Sequence, residues 1–301
     1  MTLTPVATPS AQADAPALQR RLPRRLWGRG DGSRPLLYAA LAVLTLLTLV
    51  GLFAPLLAPD DPTATDLSQS LVGVSADHLL GADQSGRDTL SRLIYGARLG
   101  LLGPLGVVAC STGLGVLVGL VAAWRGGWVD TLLSRSQELV FAFPGLLLAL
   151  LAVAVFGAGL LAPVLAMAVA YFPYVGRLVR SSAISEQSRP YVAAYRVQGF
   201  SGWTIAVRHV LPNIGGIVLA QSALNFGYAL MDLAALSYLG FGVRPPTPEW
   251  GAMISEGQPA LLQGYPLPVI APGVVIVLAV VAFTLVGEGL ADRVARQEHV
   301  R

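Results

Sequence analysis

The chain has no lysine, one cysteine and three histidines among its 301 residues, and each shortage removes a class of chemistry. A Walker-type loop needs a lysine to reach the β- and γ-phosphates, and Schiff-base catalysis needs a side-chain amine. Neither can be built here, so any uphill work must draw its ATP chemistry from another chain. Cys110 sits alone inside an apolar block, which rules out an internal disulfide and a thiolate metal site. His78, His209 and His299 lie far apart without metal-ligand spacing, and no metal is expected. Charge is scarce as well. Only 12% of residues are charged, against about 25% in a soluble domain. With 54% hydrophobic residues and a mean hydropathy of +0.64, much of the surface must face something other than water. The net charge of +3 is modest and calls for no polyanionic partner.

What is abundant is apolar sequence in long blocks. A bilayer core of about 30 Å needs about 20 apolar residues as helix. Six blocks meet that length, at 35–57, 99–123, 138–157, 160–179, 213–239 and 268–289. The first follows an Ala/Pro/Thr-rich stretch, expected to be disordered, and a basic cluster of Arg20, Arg21, Arg24, Arg25, Arg29 and Arg34. It exceeds the 7–15 residues of a signal-peptide apolar region and ends in a poor cleavage site, so it reads as an uncleaved transmembrane helix. Gly157, Ala158 and Gly159 form a tight hairpin between the third and fourth spans. Basic residues near span ends favour the cytoplasm. Placing 1–34 inside collects most arginines there and leaves only Arg87, Arg92, Arg98 and Arg244 outside. The expectation is an all-α polytopic membrane protein with about six spans and both termini cytoplasmic. It has an extracytoplasmic segment at 58–98, a five-helix core at 99–290, a cytoplasmic loop at 181–212 and a tail at 291–301.

The cytoplasmic loop is too long for a turn, and its residues predict structure. Pro190 suits a first helical turn, Tyr191 to Gln198 supports about two turns, and Gly199 can close them in a left-handed cap. Ser201 can cap a second segment running to Leu211-Pro212. A short helix held across the inner face between two spans is a lever. This loop resembles the Glu-Ala-Ala coupling motif of ABC importer permeases. Aligned on Gly199, the motif falls on Ala193, Ala194 and Tyr195, then His209, Val210, Leu211 and Pro212. The family's glutamate is Ala193 here and its second alanine is Tyr195, so shape and Arg196 are expected to carry more of the docking to an ATPase, with Tyr191 in the same surface. An interfacial amphipathic linker is the plainer reading of the same residues.

The external segments resemble one branch of that family. His78-Leu79-Leu80-Gly81-Ala82-Asp83 with Gly86-Arg87-Asp88 and Ser91-Arg92, and Pro245-Pro246-Thr247-Pro248-Glu249-Trp250-Gly251, are similar to stretches of the dipeptide, oligopeptide and nickel permeases, of the C-type with an extra N-terminal helix. Trp124-Arg125-Gly126-Gly127-Trp128-Val129-Asp130 and Phe141-Ala142-Phe143-Pro144 match the same pattern. The resemblance spans about residues 20–293. It implies the type I ABC importer transmembrane fold in a bacterial inner membrane, with no catalytic residue or cofactor in this chain. The implied partners are a second permease, two ATPases holding ATP and Mg, and an extracytoplasmic substrate-binding protein. Asp83, Arg87, Asp88, Pro246 and Trp250 are the expected docking points for that binding protein, against the alternative that they only shape turns and stiffen the loop.

Asp232 falls in the outer half of the fifth span, where a carboxylate costs about 2.5–3.5 kcal/mol on insertion scales and must face a cavity or a partner. It can bind a peptide amino group or act as a structural hydrogen-bond anchor, with the second favoured. Family members place a glutamate one residue later, at Leu233 here. Three other classes stay open: a proton-coupled secondary transporter, although no internal repeat is evident; a membrane-embedded enzyme, which would need partners for Asp232; and a scaffold. Dipeptides, longer peptides, glutathione and nickel complexes are all substrates within the family, and peptide is the majority choice.

Overall fold

The computed structural model describes residues 33–298; the expected disorder of the N-terminal stretch and the arginine cluster before Ser33 lie outside that range. The described residues form helices joined mostly by short connections, apart from the long segment 58–88, which carries one 3-10 turn at Leu67–Gln69. In order these are α1 (Ser33–Leu52), α2 (Ala54–Leu57), α3 (Thr89–Arg125), α4 (Gly127–Phe141), α5 (Gly145–Phe156) and α6 (Leu161–Gln187). They continue with α7 (Pro190–Val197), α8 (Gly202–Ile205), a π-helical turn at Ala206–Val210, α9 (Leu211–Tyr238), α10 (Trp250–Leu262) and α11 (Leu267–Glu298). Five helical segments are long and apolar enough to cross a membrane, and α4 with α5 makes a sixth if the bent pair counts as one span. A backbone without water must satisfy its own hydrogen bonds, and helices do so within one segment. Leu37 of α1 lies against Gly289 of α11, so the start of the first helix and the end of the last share one end of the bundle.

Several boundaries differ from the sequence reading. The external segment ends at Asp88, not at 98, because the Asp88 carboxylate accepts from the Ser91 N–H and starts α3 there. The third span is not one straight helix over 138–157. It breaks after Phe141, and α4 and α5 meet at 82°. Pro144 supplies the cause, since it has no N–H to donate and disfavours helical backbone at the residue before it. α5 alone, at 12 residues, reaches only about 18 Å. The 181–212 loop is also shorter than expected: α6 runs to Gln187, and α8, the π turn and α9 form one continuous rod from Gly202. Pro212 cannot donate into the preceding turn, and the wider π turn just before it fits that gap. α10 has no counterpart among the six expected spans.

The most extensive pairing is α3 on α6, and small residues set it. A Cβ on Gly115 would lie 2.8 Å from the Phe172 carbonyl oxygen, and one on Gly119 would lie 2.7 Å from the Gly176 carbonyl oxygen. Close backbone approach through small residues is how helices associate where lipid is as apolar as leucine. A central apolar cluster joins α3, α6 and α9 through Val107, Met167, Leu233 and Leu236; beside it a second joins α3, α9 and α10 through Ala97, Phe226, Leu230 and Trp250, and a third lies at the α7 end with Leu120, Val179, Val192, Ile205 and Val210. Gly119→Ala is expected to destabilise the protein by about 1–3 kcal/mol through overpacking. Gly113→Ala, where nothing lies within 4 Å, should be neutral or stabilise by up to about 1 kcal/mol. Thermal unfolding of the two variants in detergent separates these outcomes.

Candidate functional site

At the end of the bundle where α1 starts, α7 lies between two long helices and is keyed to both. Val192 is fully buried in the cluster made by α6 and α9. The Tyr191 hydroxyl donates to the Glu186 carboxylate at the end of α6 and accepts from the Asn213 side-chain N–H at the start of α9, 3.1 Å away. Tyr195 stacks on His209 of the π turn, with centroids 3.9 Å apart, and meets Phe200 edge-on at 5.4 Å. Of the two departures from the motif, Tyr195 is the one that clamps α7 to the π turn. Gly199 takes φ +85°, and the Phe200 N–H donates to the Tyr195 carbonyl at 3.1 Å, closing α7 in a left-handed cap. Ser201 caps α8 through the Thr204 N–H. The opposite face is open: Ala193, Ala194, Arg196 and Val197 are exposed, Val197 at 89%. Leu211 is half-buried and Pro212 exposed where α9 begins.

At mid-bundle, the Tyr171 hydroxyl donates to the Asp232 carboxylate at 2.8 Å. This is the anchor reading of Asp232, and it ties α6 to α9. Leu233 is buried in the central cluster, so the neighbouring position faces the core while Asp232 does not. Asp232 is half-buried, and Tyr174 and Tyr228 beside it on the same two helices are 48% and 56% exposed. Tyr174 also meets Phe141 edge-on at 4.6 Å, and the Arg177 guanidinium sits 4.3 Å from the Phe141 ring centroid. A band of hydroxyls and one carboxylate thus lies open on a face that is otherwise apolar.

At the far end, the residues expected to dock a binding protein have another task. Asp83, Arg87, Asp88 and Trp250 are all at least 92% buried, so their side chains hold the chain together instead of presenting a docking surface. Arg87 pairs with Asp83 at 2.7 Å and with Glu256 at 2.5 Å, while Arg92 reaches the same two carboxylates at 3.2 Å and 2.9 Å. The Trp250 indole N–H donates to the Leu93 carbonyl at 3.0 Å, and its ring covers α3 where only Gly96 and Gly100 leave room. Pro246 alone of the five is exposed. Glu256, which sequence reasoning missed, is the second carboxylate of this network; a lone acidic residue amid the apolar residues of α10 was the available signal. The fold also gathers Asp60, His78 and Asp88, with donor atoms within 4.8 Å of one another. Asp88 is already committed there, to His78 through one oxygen and to the α3 cap through the other.

The family models match at both ends of this architecture. Residues 115–299 match the inner membrane component of binding-protein-dependent transport systems, and residues 33–73 match the N-terminal transmembrane domain of oligopeptide transport permease C. The chain belongs to the inner-membrane permeases of binding-protein-dependent transport systems. Among its relatives, the dipeptide transport system permease protein DppC of Alkalihalophilus pseudofirmus is 39% identical over 84% of this chain and 83% of its own length. The di/tripeptide transport system permease protein DppC of Pseudomonas aeruginosa is 40% identical over 84% and 85%. The glutathione transport system permease protein GsiD of Pectobacterium atrosepticum is 36% identical over 89% of each chain. The expected family, helical membrane fold and inner-membrane location hold.

Two consequences can be measured. Burial and the Glu186 carboxylate push the Tyr191 hydroxyl up to about 12, from an ordinary 10.0. Because the folded value is the higher one, the hydrogen bond contributes fully below pH 10 and is lost as pH rises towards 12. The difference in melting temperature between the parent and Tyr191→Phe should therefore be constant up to pH 10 and vanish towards pH 12. Glu256→Ala removes the carboxylate shared by Arg87 and Arg92 and should cost about 3–5 kcal/mol in denaturant unfolding, as for other broken buried pairs.

Proposed function

We propose that this permease is one of two membrane halves of an ATP-driven importer of dipeptides, itself without catalytic residues or cofactor. The observation that carries the reading is α7, keyed by Tyr191, Val192 and Tyr195 to α6 and α9 and bare on its outer face. A helix fixed to two spans moves them when it moves. The bare face, with Ala193, Ala194, Arg196 and Val197, suits a protein partner that pushes on it, and Gly199 holds the turn that aims it. His209, held by the Tyr195 stack, joins the lever to the rod that continues through Leu211 and Pro212 into α9. The partners are two cytoplasmic ATPases holding ATP and Mg, a second permease, and a binding protein on the opposite side. Arginine placement supports a cytoplasmic α7 end.

The relatives' names supply the substrate class, and the band around Asp232 is chemically compatible with it: a carboxylate beside tyrosine hydroxyls matches a free amino group next to amide carbonyls. The binding protein meets the other end at the exposed parts of its surface, which include Pro246 and a cleft of about 480 Å³ between the 55–63 segment and the Thr247-Pro248 turn. Alternating access then needs only a two-state bundle whose balance is biased by ligand on one side and ATP on the other.

The test is co-purification of the tagged chain from its own membranes, paired with uptake of a radiolabelled dipeptide. Recovery of a second permease and of ATPases, with both recovery of the ATPases and uptake lost in the Arg196→Asp/Gly199→Asp double variant, supports the proposal. Recovery of the chain alone, with uptake that survives ATP depletion, would place it among secondary transporters. Competition by glutathione but not by dipeptides would reassign the substrate.

A further inference from the structure

An apolar groove of about 600 Å³ opens sideways between four helices at the end of the bundle away from α7. α1 supplies Gly51 and Leu52, α3 supplies Leu101, Leu102 and Leu105, and the stacked rings of Phe226 and Phe283, 3.7 Å apart, form its inner limit. The groove follows α3 from residue 98 to residue 105, about 10 Å, which is most of one leaflet's hydrocarbon depth. Its volume lies within the roughly 300–1,000 Å³ of small-molecule sites. Leu102 and Leu105 are 58% and 53% exposed along it, so the wall is unfilled by this chain.

Arg98 stands at the mouth. Its Nε–H donates to the Gly51 carbonyl at 2.8 Å and its Nη2 to the Leu52 carbonyl at 3.4 Å, two of the carbonyls left over at the end of α1. Tyr95 lies under the guanidinium at 5.3 Å. These contacts fix the direction of the side chain and leave its charge uncompensated. Among the described residues no carboxylate pairs with Arg98, and Nη1 has no protein partner. An oriented guanidinium at a membrane interface, above a chain-length apolar trough, is complementary to one kind of molecule. A phosphate offers a pair of anionic oxygens that the planar guanidinium binds, and an acyl chain offers the rest.

We propose that this groove binds one anionic phospholipid, its phosphate on Arg98 and one acyl chain laid along Leu101, Leu102 and Leu105 towards Phe226. The lipid would staple α1 to the core near its outer end, where α1 and α3 run so close that a Cβ on Gly51 would lie 3.5 Å from Ala97.

The test reconstitutes the full chain in phosphatidylcholine vesicles doped with a photoactivatable phosphatidylglycerol carrying its reactive group in the acyl chain, and maps the adducts by mass spectrometry. Adducts are expected at residues 98–105 and around Phe226, competed by unlabelled phosphatidylglycerol and not by phosphatidylcholine. Arg98→Gln should lower labelling about five-fold, the loss of roughly one surface basic residue's attraction for anionic lipid. Leu102→Trp fills the trough without touching Arg98 and should lower it as well. Val277→Trp, on an exposed part of α11 outside the groove, should leave it unchanged. Equal labelling in all three variants, or equal competition by phosphatidylcholine, would show an unselective annular lipid and overturn the proposal. Loss of groove labelling when the chain is assembled with its companion permease would overturn it too, by giving the trough to a protein helix.

Discussion

The closeness of α3 and α6 is the constraint from which the other arrangements follow. In lipid, apolar side chains gain little by meeting one another, so two long helices stay together only where their backbones pack tightly. Gly115 and Gly119 give α3 that surface against the Phe172–Gly176 turn of α6. The same approach brings α6 near enough to α9 for Tyr171 to reach Asp232, and it holds the end of α6 where Glu186 can meet Tyr191. The lever is thus positioned by a contact about a dozen residues away along α6. A change at the glycines would reach α7 without touching any residue on it.

The two ends of the bundle are held by different kinds of contact. At the far end Asp83, Arg87, Arg92 and Glu256 share two carboxylates and two guanidinium groups in a buried, charge-balanced network, and Trp250 locks α10 over α3. Such a network tolerates few alternative geometries, because any displaced member leaves a buried charge unpaired. At the α7 end Val192 packs into a buried apolar cluster, one tyrosine hydroxyl is shared between two helices, and Tyr195 stacks on His209. Stacked rings permit small rotations at little cost. A rigid rim and a compliant lever are what a bundle needs if force enters at one end and the rim must move as a body.

How far this was legible in the sequence depends on which force places each residue. Spans governed by hydropathy were readable, and so was α7, because Pro190, Gly199 and Ser201 act through local backbone chemistry. The break at Pro144 had its own local signal and was overridden by the apolar run on both sides of it. α10 was illegible for a different reason. At 13 residues it is too short for a bilayer signal, and its burial comes from packing on α3, α9 and α11. Trp250 read as a surface aromatic because the loop before it is proline-rich. Only the fold shows that Gly96 and Gly100, about 150 residues earlier, leave the recess it fills. Glu256 belongs to the same class, since its partners Arg87 and Arg92 are equally remote.

The departures from the family's coupling motif make sense in this light. A glutamate at position 193 would present a charge to the partner, whereas Ala193 leaves a small exposed face beside Ala194, with Arg196 the nearby charge. An alanine at position 195 would leave the His209 ring without its stacking partner and loosen α7 from the π turn. The two substitutions therefore act on different sides of one short helix. Tyr195 strengthens the internal attachment of the lever while Ala193 lightens its external contact. On the coupling role proposed for α7, displacement passes to α9 through the Tyr195–His209 stack, which makes that stack at least as important as any single charged contact on the outer face.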